Sequence, residues 1–527
     1  MHAPDSGRAR TLDLLRTIGL GVFVLAFAIF VLTLATADYS LDDATLASIE
    51  ASGAIQKPQL FDELRALDTR SWSSVVPFVG ELDRAIANAN QRGANIQEWE
   101  MVGIKTTLAR AATGGPVPQQ ALLFFLLTFG LGTLGALLYF LPRLGLETPG
   151  IKNDRIWFHS MKARGWLGIA FGVFLIAFYI LLYFWPFYIT NWIRLADPLS
   201  HAMLGKPADR WFFYGVMYTF CVVVMGVRMM LNHRHSRYQL VRTVSVMFFQ
   251  LGFAFLIPNI LAALNRPSFD PKNAWPLNYS VFADYSRQSL MDSGAFGWGV
   301  LFWMIALALV VVPLFAFLWG KRWYCSWVCG CGGLAETLGD PYRHLSDKSL
   351  KAWRVERWMV HAVLVFAVVM TGLVVADVLP GVDESAVVGG NAWKVRNLYG
   401  FLIGSIFAGV VGTGFYPFMG SRVWCRFGCP LAAILGIVQR FKSRFRITTN
   451  GGQCISCGNC STYCEMGIDV RWYAQRGQNI VRASCVGCGI CSQVCPRGVL
   501  RLENGPTENR IPEPGLVQIG RGQVEIG

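Results

Sequence analysis

Eight of the fourteen cysteines in this chain lie in two nearly identical groups between residues 454 and 495. In each group, three cysteines are separated by two residues each, and a fourth follows after three more residues. The groups are Cys454, Cys457, Cys460 and Cys464, and then Cys485, Cys488, Cys491 and Cys495. Thiols at this density are normally bound to metal or paired with each other, which restricts the segment to a small fold built around its ligands.

The spacing is the ligand pattern of a bacterial two-cluster ferredoxin, in which three cysteines of one loop bind one cluster and the fourth reaches the other. The sequence therefore predicts two [4Fe–4S] clusters. The predicted ligands are Cys454, Cys457, Cys460 and Cys495 for cluster 1, and Cys485, Cys488, Cys491 and Cys464 for cluster 2. Zinc is disfavoured because each group carries four cysteines and the segment has no histidine. One position departs from the pattern: Cys464 is followed by Glu465, whereas Cys495 is followed by Pro496.

The composition excludes a soluble protein, because 53% of the residues are hydrophobic and only 15% are charged. Apolar runs long enough to cross a bilayer recur along the chain and predict eight membrane spans. The predicted spans are the run that ends near Ala37 and residues 121–141, 166–190, 211–231, 242–265, 297–319, 358–379 and 398–420. The formal net charge of +14 comes mostly from basic residues beside these runs, so we expect lipid contact and no nucleic-acid binding.

The loops between the predicted spans alternate in their content of Lys and Arg. Residues 142–165, the turn between the fourth and fifth spans, and residues 320–357 are rich in basic side chains, and the opposite loops are poorer. Because basic loops stay on the cytoplasmic side, the pattern predicts a multi-pass protein of the bacterial inner membrane. Both termini and the ferredoxin segment are then predicted to be cytoplasmic, with residues 38–117 on the other side. A disulfide framework is disfavoured by that location.

The predicted fold class is mainly α: a polytopic helical membrane protein of about eight spans with a C-terminal α+β two-cluster ferredoxin-like domain. The predicted divisions are residues 1–37 (tail and first span), 38–117 (small extracytoplasmic helical domain), 118–296 (four spans), 297–447 (repeated span plus cysteine pair), 448–502 (ferredoxin) and 503–527 (mobile tail). No nucleophile, general base or substrate pocket is recognisable, so enzymatic activity is expected only as an oxidoreductase component.

A second cysteine pattern is repeated about one hundred residues apart. Cys325 and Cys329 follow the sixth predicted span, and Cys425 and Cys429 follow the eighth, each pair preceded by Gly, Arg and an aromatic residue. In the second copy Pro430 suits the first position of a helix, which places Cys429 at its N-terminal cap. In the first copy, the glycines 330, 332 and 333 are expected to let backbone amides approach the sulfur instead.

Two such pairs brought together present four thiolates, which predicts a metal or redox site. A further iron–sulfur cluster, copper and reversible dithiol chemistry all remain open. Cys331 has no counterpart in the second copy and is a candidate extra ligand. The apolar and then basic residues after Pro430 predict an amphipathic helix lying on the lipid surface. Of seven histidines only His361 is near a span, so haem is not expected.

Paired Cys-x3-Cys elements on membrane spans, the second ending in Cys-Pro, followed by a two-cluster ferredoxin, resemble membrane polyferredoxins of the NapH and NosR type and the related CcoG branch. The resemblance covers residues 297–502. It implies that Cys325, Cys329, Cys425 and Cys429 are redox-linked and that the eight ferredoxin cysteines bind clusters. In the first copy Cys329 is followed by Gly where the family has Pro. Ser293-Gly-Ala295 is followed by Phe296, so the flavin of NosR-type proteins is not expected.

The resemblance implies a membrane-bound iron–sulfur protein that transfers electrons between cytoplasmic [4Fe–4S] clusters and a quinone pool or an extracytoplasmic reductase partner. The first alternative is a CcoG-like assembly or copper-reducing factor for a copper-containing respiratory enzyme. The second alternative is a membrane redox sensor that acts through residues 38–117.

Overall fold

The described structure is mostly helical. A computed structural model describes residues 6–68, 70–147, 149–150, 165–277, 279, 284–378 and 391–505, with the backbone of residues 519–520 and 523–524. The tail predicted to be mobile and most of the basic loop 142–165 therefore lie outside the described residues. Strands occur only as three two-stranded antiparallel pairs within the described part. The prediction of a mainly α fold is confirmed.

Eight helices are long and apolar enough to cross a membrane, as the sequence predicts. They are Gly7–Thr36, Ala121–Leu146, Trp166–Phe184, Arg210–Asn232, Arg237–Ala263, Ala295–Trp319, Leu350–Ala376 and Ala392–Gly414. The second, fifth, sixth and eighth contain widened π-helical stretches, at Leu126–Gly130, Phe249–Leu256, Leu307–Val311 and Gly400–Val411. The seventh helix begins eight residues before its predicted start, because Lys, Arg and Glu are good helix formers even where hydropathy is low. The third ends just before Pro186, which cannot donate to the helical hydrogen-bond ladder.

The chain forms two compact units. The first contains residues 1–148 and 177–220 and includes the predicted small helical domain. Its helices beyond the spans are Asp43–Ala51, Pro58–Arg65, Val75–Gln91, Glu98–Ala112, Pro116–Gln119, Thr190–Arg194 and Asp197–Leu204, with a 3-10 turn at Pro186–Ile189. Tyr39–Ser40 pairs with Ser71–Trp72. Apolar faces of these helices close one core around Phe61, Phe78 and Leu108, which are almost fully buried.

The second unit contains residues 149–176 and 221–527 and holds all the candidate metal ligands. Its further helices are Asp284–Asp292, Arg322–Cys325, Gly330–Thr337, Tyr416–Met419, Trp424–Gly428, Pro430–Phe441, Asn459–Thr462, Val470–Gln475 and Ile490–Gln493, with 3-10 turns at Asp340–Leu345 and Gly451–Gln453. Phe445–Thr449 pairs antiparallel with Leu500–Asn504 and so joins the two ends of the ferredoxin segment. Ile519–Gly520 pairs with Gln523–Val524.

The ferredoxin segment rests on a layer that we call the base, defined as residues 237–242, 320–349 and 420–442. The helix Pro430–Phe441 belongs to this layer, and the expectation that it lies on the lipid surface is corrected by its packing. It contacts the helices Val312–Trp319 and Leu350–Val378, and most of its apolar side chains are buried. A side chain at Gly436 would lie 2.7 Å from the carbonyl oxygen of Ala483 in the ferredoxin segment. Protein therefore covers most of the apolar face that was expected to contact lipid, while Ile437 and Phe441 stay exposed.

Candidate metal centres

The first cavity in the ferredoxin segment lies among four cysteines. It is lined by Cys454, Cys457, Cys460 and Cys495 together with apolar side chains and Arg471 and Arg497. These are the four thiols that the spacing assigns to cluster 1, although Cys495 is 35 positions away from Cys460 in the chain. Cys457 is exposed and Cys460 is buried. Burial raises the pKa of the Cys460 thiol to about 11, so a thiolate forms there when a cation replaces the proton.

The second cavity is lined by Cys464, Cys485, Cys488 and Cys491. These are the four thiols assigned to cluster 2. Cys485 and Cys491 are buried, so the surroundings of this cavity are drier. This burial raises the pKa of the Cys485 thiol to about 12. Backbone N–H groups nevertheless point at the sulfurs: that of Ile468 lies 3.4 Å from Cys464 Sγ. Four thiols, apolar walls and amide donors are the donor set that a [4Fe–4S] cluster needs, so both cavities fit the group.

The two cysteine loops share their backbone conformation. Positive φ angles occur at equivalent positions, at Ser456 and Gly487 (59° and 62°) and at Gly458 and Gly489 (82° and 80°). Such turns direct successive N–H groups inward, which is how a loop surrounds an anionic centre. The repeat in sequence is therefore also a repeat in local geometry.

The two loops differ in what holds them. Four consecutive carbonyl oxygens of the second loop, those of residues 485–488, accept hydrogen bonds from side chains of the base. The donors are Gln439 to Cys485 (2.7 Å), Ser326 to Val486 (2.8 Å), Tyr238 to Gly487 (2.8 Å) and Gln239 to Cys488 (2.8 Å). The first loop instead uses contacts inside the ferredoxin segment, such as Gln475 to Ser456 at 2.7 Å. The second cavity is therefore fixed to the base and the first lies farther out.

The Cys-x3-Cys pairs of the two repeat copies lie in the same apolar core. Cys325, Cys425 and Cys429 are buried, Cys329 packs against them, and the core continues to Cys460 and Cys485 of the ferredoxin segment. Cys331 lies next to Cys329 and is exposed. A hydrogen bond from Cys331, together with amides of residues 331 and 332, lowers the pKa of Cys329 to about 6 despite its burial. The structure thus gathers the five cysteines that the sequence singles out as a metal or redox site.

Both pairs end at the start of a helix. Cys429 is the N-terminal cap of Pro430–Phe441 and accepts a hydrogen bond from Ala432 N at 3.4 Å, as expected. Cys329 likewise precedes the helix Gly330–Thr337 but makes no side-chain cap hydrogen bond. Backbone amides of residues 331 and 332 approach its sulfur instead, as expected for the first copy. Glycine does have a role in the first copy, because a Cβ atom at Gly332 would lie 1.9 Å from the carbonyl oxygen of Cys325.

A buried ion cluster between the pairs and the second cavity was not predicted. Arg422 donates to Glu336 at 2.6 Å, and Arg343 donates to Glu465 at 2.6 Å and also to Glu336. Arg242 forms a further ion pair with Glu336 at 2.5 Å. Carboxylate oxygens of Glu336 and Glu465 and the Cys488 sulfur lie within 4.8 Å of one another. Three guanidinium groups already neutralise these carboxylates, which disfavours an additional cation there.

Two signals in the sequence pointed to this cluster. Arg422 is the arginine of the repeated Cys-x3-Cys element, and Glu465 stands where the ferredoxin pattern normally has proline. Burial opposes ionisation of Glu336, but Arg242, Arg343 and Arg422 outweigh it and hold its pKa well below the usual range. Glu336, Arg343 and Arg242 themselves carry no motif, so their roles come only from the fold.

Two family models match the chain where the candidate ligands lie. Residues 453–500 match a 4Fe-4S dicluster domain, and residues 300–350 and 399–448, which hold the two repeat copies, match a 4Fe-4S binding domain. No solved structure matches the chain.

Three curated relatives align with about a third of the chain. The putative electron transport protein YccM of Escherichia coli is 27% identical over 32% of this chain and 46% of its own length. The methylamine utilization ferredoxin-type protein MauN of Paracoccus denitrificans is 29% identical over 33% of this chain and 59% of its own length. An uncharacterized protein of Methanocaldococcus jannaschii is 28% identical over 31% and 58%. The chain thus spans about half the length of these relatives.

The matched domains, these relatives and the eight apolar helices fit a membrane polyferredoxin. The same findings support iron–sulfur binding and a multi-pass membrane location.

Proposed function

We propose that this protein carries single electrons between two ferredoxin clusters and a third iron–sulfur site at the Cys-x3-Cys pairs, and from there to a quinone or a redox partner protein. The observation that carries this proposal is the continuous core that contains cysteines of all three groups. When bound, [4Fe–4S] clusters supply the one-electron chemistry. The chain supplies burial, amide hydrogen bonds and a fixed arrangement of the sites.

The surroundings of the cavities support an order for these sites. The first cavity includes the exposed Cys457, so it is the side on which a soluble donor or acceptor meets the protein. The second cavity is tied to the base by the four carbonyl contacts, so it is the intermediate site. The Cys325, Cys329, Cys425 and Cys429 site lies next to the spans and is the last in the sequence.

The proposal is tested by metal and sulfide analysis of the full chain, purified anaerobically in detergent and followed by redox titration with EPR detection. We expect about twelve irons per chain, with signals that a quinol analogue or a low-potential donor reduces. Serine in place of Cys325 and Cys425 together should remove about four irons and leave the ferredoxin signals. About eight irons in the wild type, and no loss in that variant, would contradict a third cluster.

A copper-handling function is the second candidate, because the described donors at the pairs are sulfur and thiolates also suit copper(I). In that case the purified protein contains about eight irons, and added copper(I) binds with loss of free thiol at the pairs. Serine at Cys325 and Cys425 then abolishes copper binding without changing iron content.

A redox sensor would instead show a cluster-dependent change in a partner bound through residues 38–117.

We further propose the orientation that the basic loops favour, with the ferredoxin segment in the bacterial cytoplasm and residues 38–117 outside. Reporter domains that are active on only one side of the membrane, fused after Gly527 or inserted at Gly53, test it. Activity of a periplasmic reporter at the C-terminus would overturn the orientation.

A further inference from the structure

Arg422 lies between two of the candidate redox sites. Its side chain has no exposed surface. One of its nitrogens, Nη1, lies 3.6 Å from Cys425 Sγ and donates to the Cys325 carbonyl oxygen at 3.1 Å. The guanidinium also donates to Glu336 at 2.6 Å and pairs with Glu465 at 3.1 Å. A single charged group therefore contacts the Cys-x3-Cys site and two buried carboxylates at once.

The two carboxylates lead directly to the second ferredoxin cavity. Glu465 follows Cys464, a candidate ligand of that cavity, and its backbone carbonyl is held by Ser346 at 2.7 Å. Glu336 and Glu465 both lie within 4.8 Å of Cys488 Sγ. Between Cys425 and Cys488 there are thus one guanidinium and one carboxylate, and both of these groups are buried.

The position of Arg422 is not a general consequence of the repeat. Its counterpart in the first copy, Arg322, is only partly buried, lies over the ring of Phe445 at 4.6 Å and donates to Asn504 at 3.0 Å. Within the described residues Arg322 has no ion-pair partner. The same sequence element therefore provides a buried arginine in one copy and a matched control in the other.

We propose that Arg422 is a positioning residue that couples the Cys-x3-Cys site electrostatically to the nearer ferredoxin site. This inference rests on the proposed electron-transfer function and adds the group that links two of its sites. Buried charges are screened little, so a change of charge at either site acts on the other through the shared guanidinium. When one electron leaves one site and arrives at the other, no bond forms or breaks, and Arg422 stays charged.

The sign of the effect follows from the charges. A positive charge favours the reduced form of each site, so Arg422→Gln should lower the midpoint potentials of both. Removal of a negative charge in Glu336→Gln should raise both. Arg422→Lys keeps the charge but cannot form the same set of contacts. Its midpoint potentials should therefore differ from those of the wild type by less than half of the shift seen in Arg422→Gln. Arg322→Gln removes a charge beside the second loop only and should leave the potential of the Cys-x3-Cys site near that of the wild type.

The experiment is a potentiometric titration with EPR detection on the full-length protein and the four variants, after iron content and thermal midpoint have been measured for each. Opposite shifts for Arg422→Gln and Glu336→Gln, seen in both signals, support the coupling. A loss of thermal stability with unchanged potentials would overturn it, as would a shift confined to one signal. If Arg422→Gln does not fold, Glu336→Gln and Arg422→Lys decide between the same outcomes. Absence of redox-active iron in the wild type would contradict the proposed function itself, before any variant is compared.

Discussion

At the scale of single residues, the departure from the ferredoxin pattern is the most informative feature. Glu465 follows Cys464 at the position where the second cysteine group has proline after Cys495. Its carboxylate accepts a hydrogen bond from Arg343 and forms an ion pair with Arg422, both from the base. Proline at this position would leave both arginines without this partner. The substitution therefore changes a self-contained ferredoxin loop into one that is ionically fixed to the membrane part.

Asp340 provides a test of the ion cluster that does not touch a candidate ligand. Burial disfavours its charged form, but the nearby His233, 3.9 Å away, and the charges of Arg343 and Arg228 outweigh this and hold its pKa well below the usual range. Loss of the carboxylate in Asp340→Asn removes the ion pair of the buried Arg228 and one of the three ion pairs of Arg343, so we expect a destabilisation of about 3 kcal/mol at neutral pH.

The pH dependence of that difference has a defined sign. A depressed carboxyl pKa stabilises the fold above the unfolded value, here 3.8, and the contribution disappears as the pH falls through the lower folded value. Thermal midpoints of wild type and Asp340→Asn, followed by tryptophan fluorescence in detergent, should thus differ fully at pH 7 and pH 5 and converge only below 3.8. Convergence already at pH 5 would contradict the depressed pKa.

At the scale of elements, the two cysteine loops have the same backbone conformation but differ in how closely other residues pack against them. Gly487 has a φ of 62° and a Cβ atom there would lie 2.6 Å from Arg322 Cβ and 3.0 Å from Phe445. Its counterpart Ser456 already has a side chain at a φ of 59°. Arg322 of the base packs against the second loop at Gly487, and this contact explains why that position needs glycine.

We expect Gly487→Ser to lower the thermal midpoint and to reduce iron retention in the second cavity, because it combines left-handed strain of about 1–2 kcal/mol with steric overlap. Ser456→Gly is the comparison variant: it relieves left-handed strain but removes the exposed hydrogen bond from Gln475, so its effect should be smaller than that of Gly487→Ser. Iron content and differential scanning fluorimetry measure both effects. Equal behaviour of the two variants would mean that the contact with Arg322 is not a constraint.

The helix Gly330–Thr337 depends on a close approach at Gly332, where a Cβ atom would lie 1.9 Å from the Cys325 carbonyl oxygen. Gly332→Ala should therefore separate the helix from the preceding turn and lower iron content by about four per chain, with the ferredoxin signals kept. Gly372→Ala in the seventh span, where a Cβ atom would meet open space, is the control. Full iron content in Gly332→Ala would contradict the assignment of a cluster to the pairs.

At the scale of the whole molecule, the ferredoxin segment and the base belong to one compact unit, and the small helical domain belongs to the other. Within the second unit the two cavities differ in exposure although their loops are alike. Cys457 is exposed at the first cavity, whereas Cys485 and Cys491 are buried at the second. This difference in protection predicts a difference in the rate of metal loss.

On treatment with a chelator, iron should leave in at least two phases, the fast one from the first cavity. Cys457→Ser should remove the fast phase and Cys488→Ser a slow one, as followed by absorbance of the iron–chelator complex. A single phase, or loss of the fast phase in Cys488→Ser, would contradict the order proposed for the sites.

Much of this protein is readable from local patterns in its sequence. Ligand spacing predicts two clusters, hydropathy predicts the eight long apolar helices that the structure contains, and the repeat identifies the paired cysteines. The spacing also assigns the same sets of four thiols that line the two cavities. These features are local, because a loop around a metal or a helix across a bilayer is specified by neighbours in the chain.

Only the tertiary structure decided which distant groups meet. Arg422 and Glu336 are 86 positions apart, and Arg343 and Glu465 are 122 apart, so no periodicity or spacing joins them. The same holds for the helix Pro430–Phe441, whose amphipathic pattern fits lipid and protein equally well and which the fold covers with protein. The sequence by itself determined the candidate ligands and the apolar helices, since short-range geometry fixes both. The ion cluster that connects the sites depended on long-range packing, since buried charges find partners only when the chain is folded.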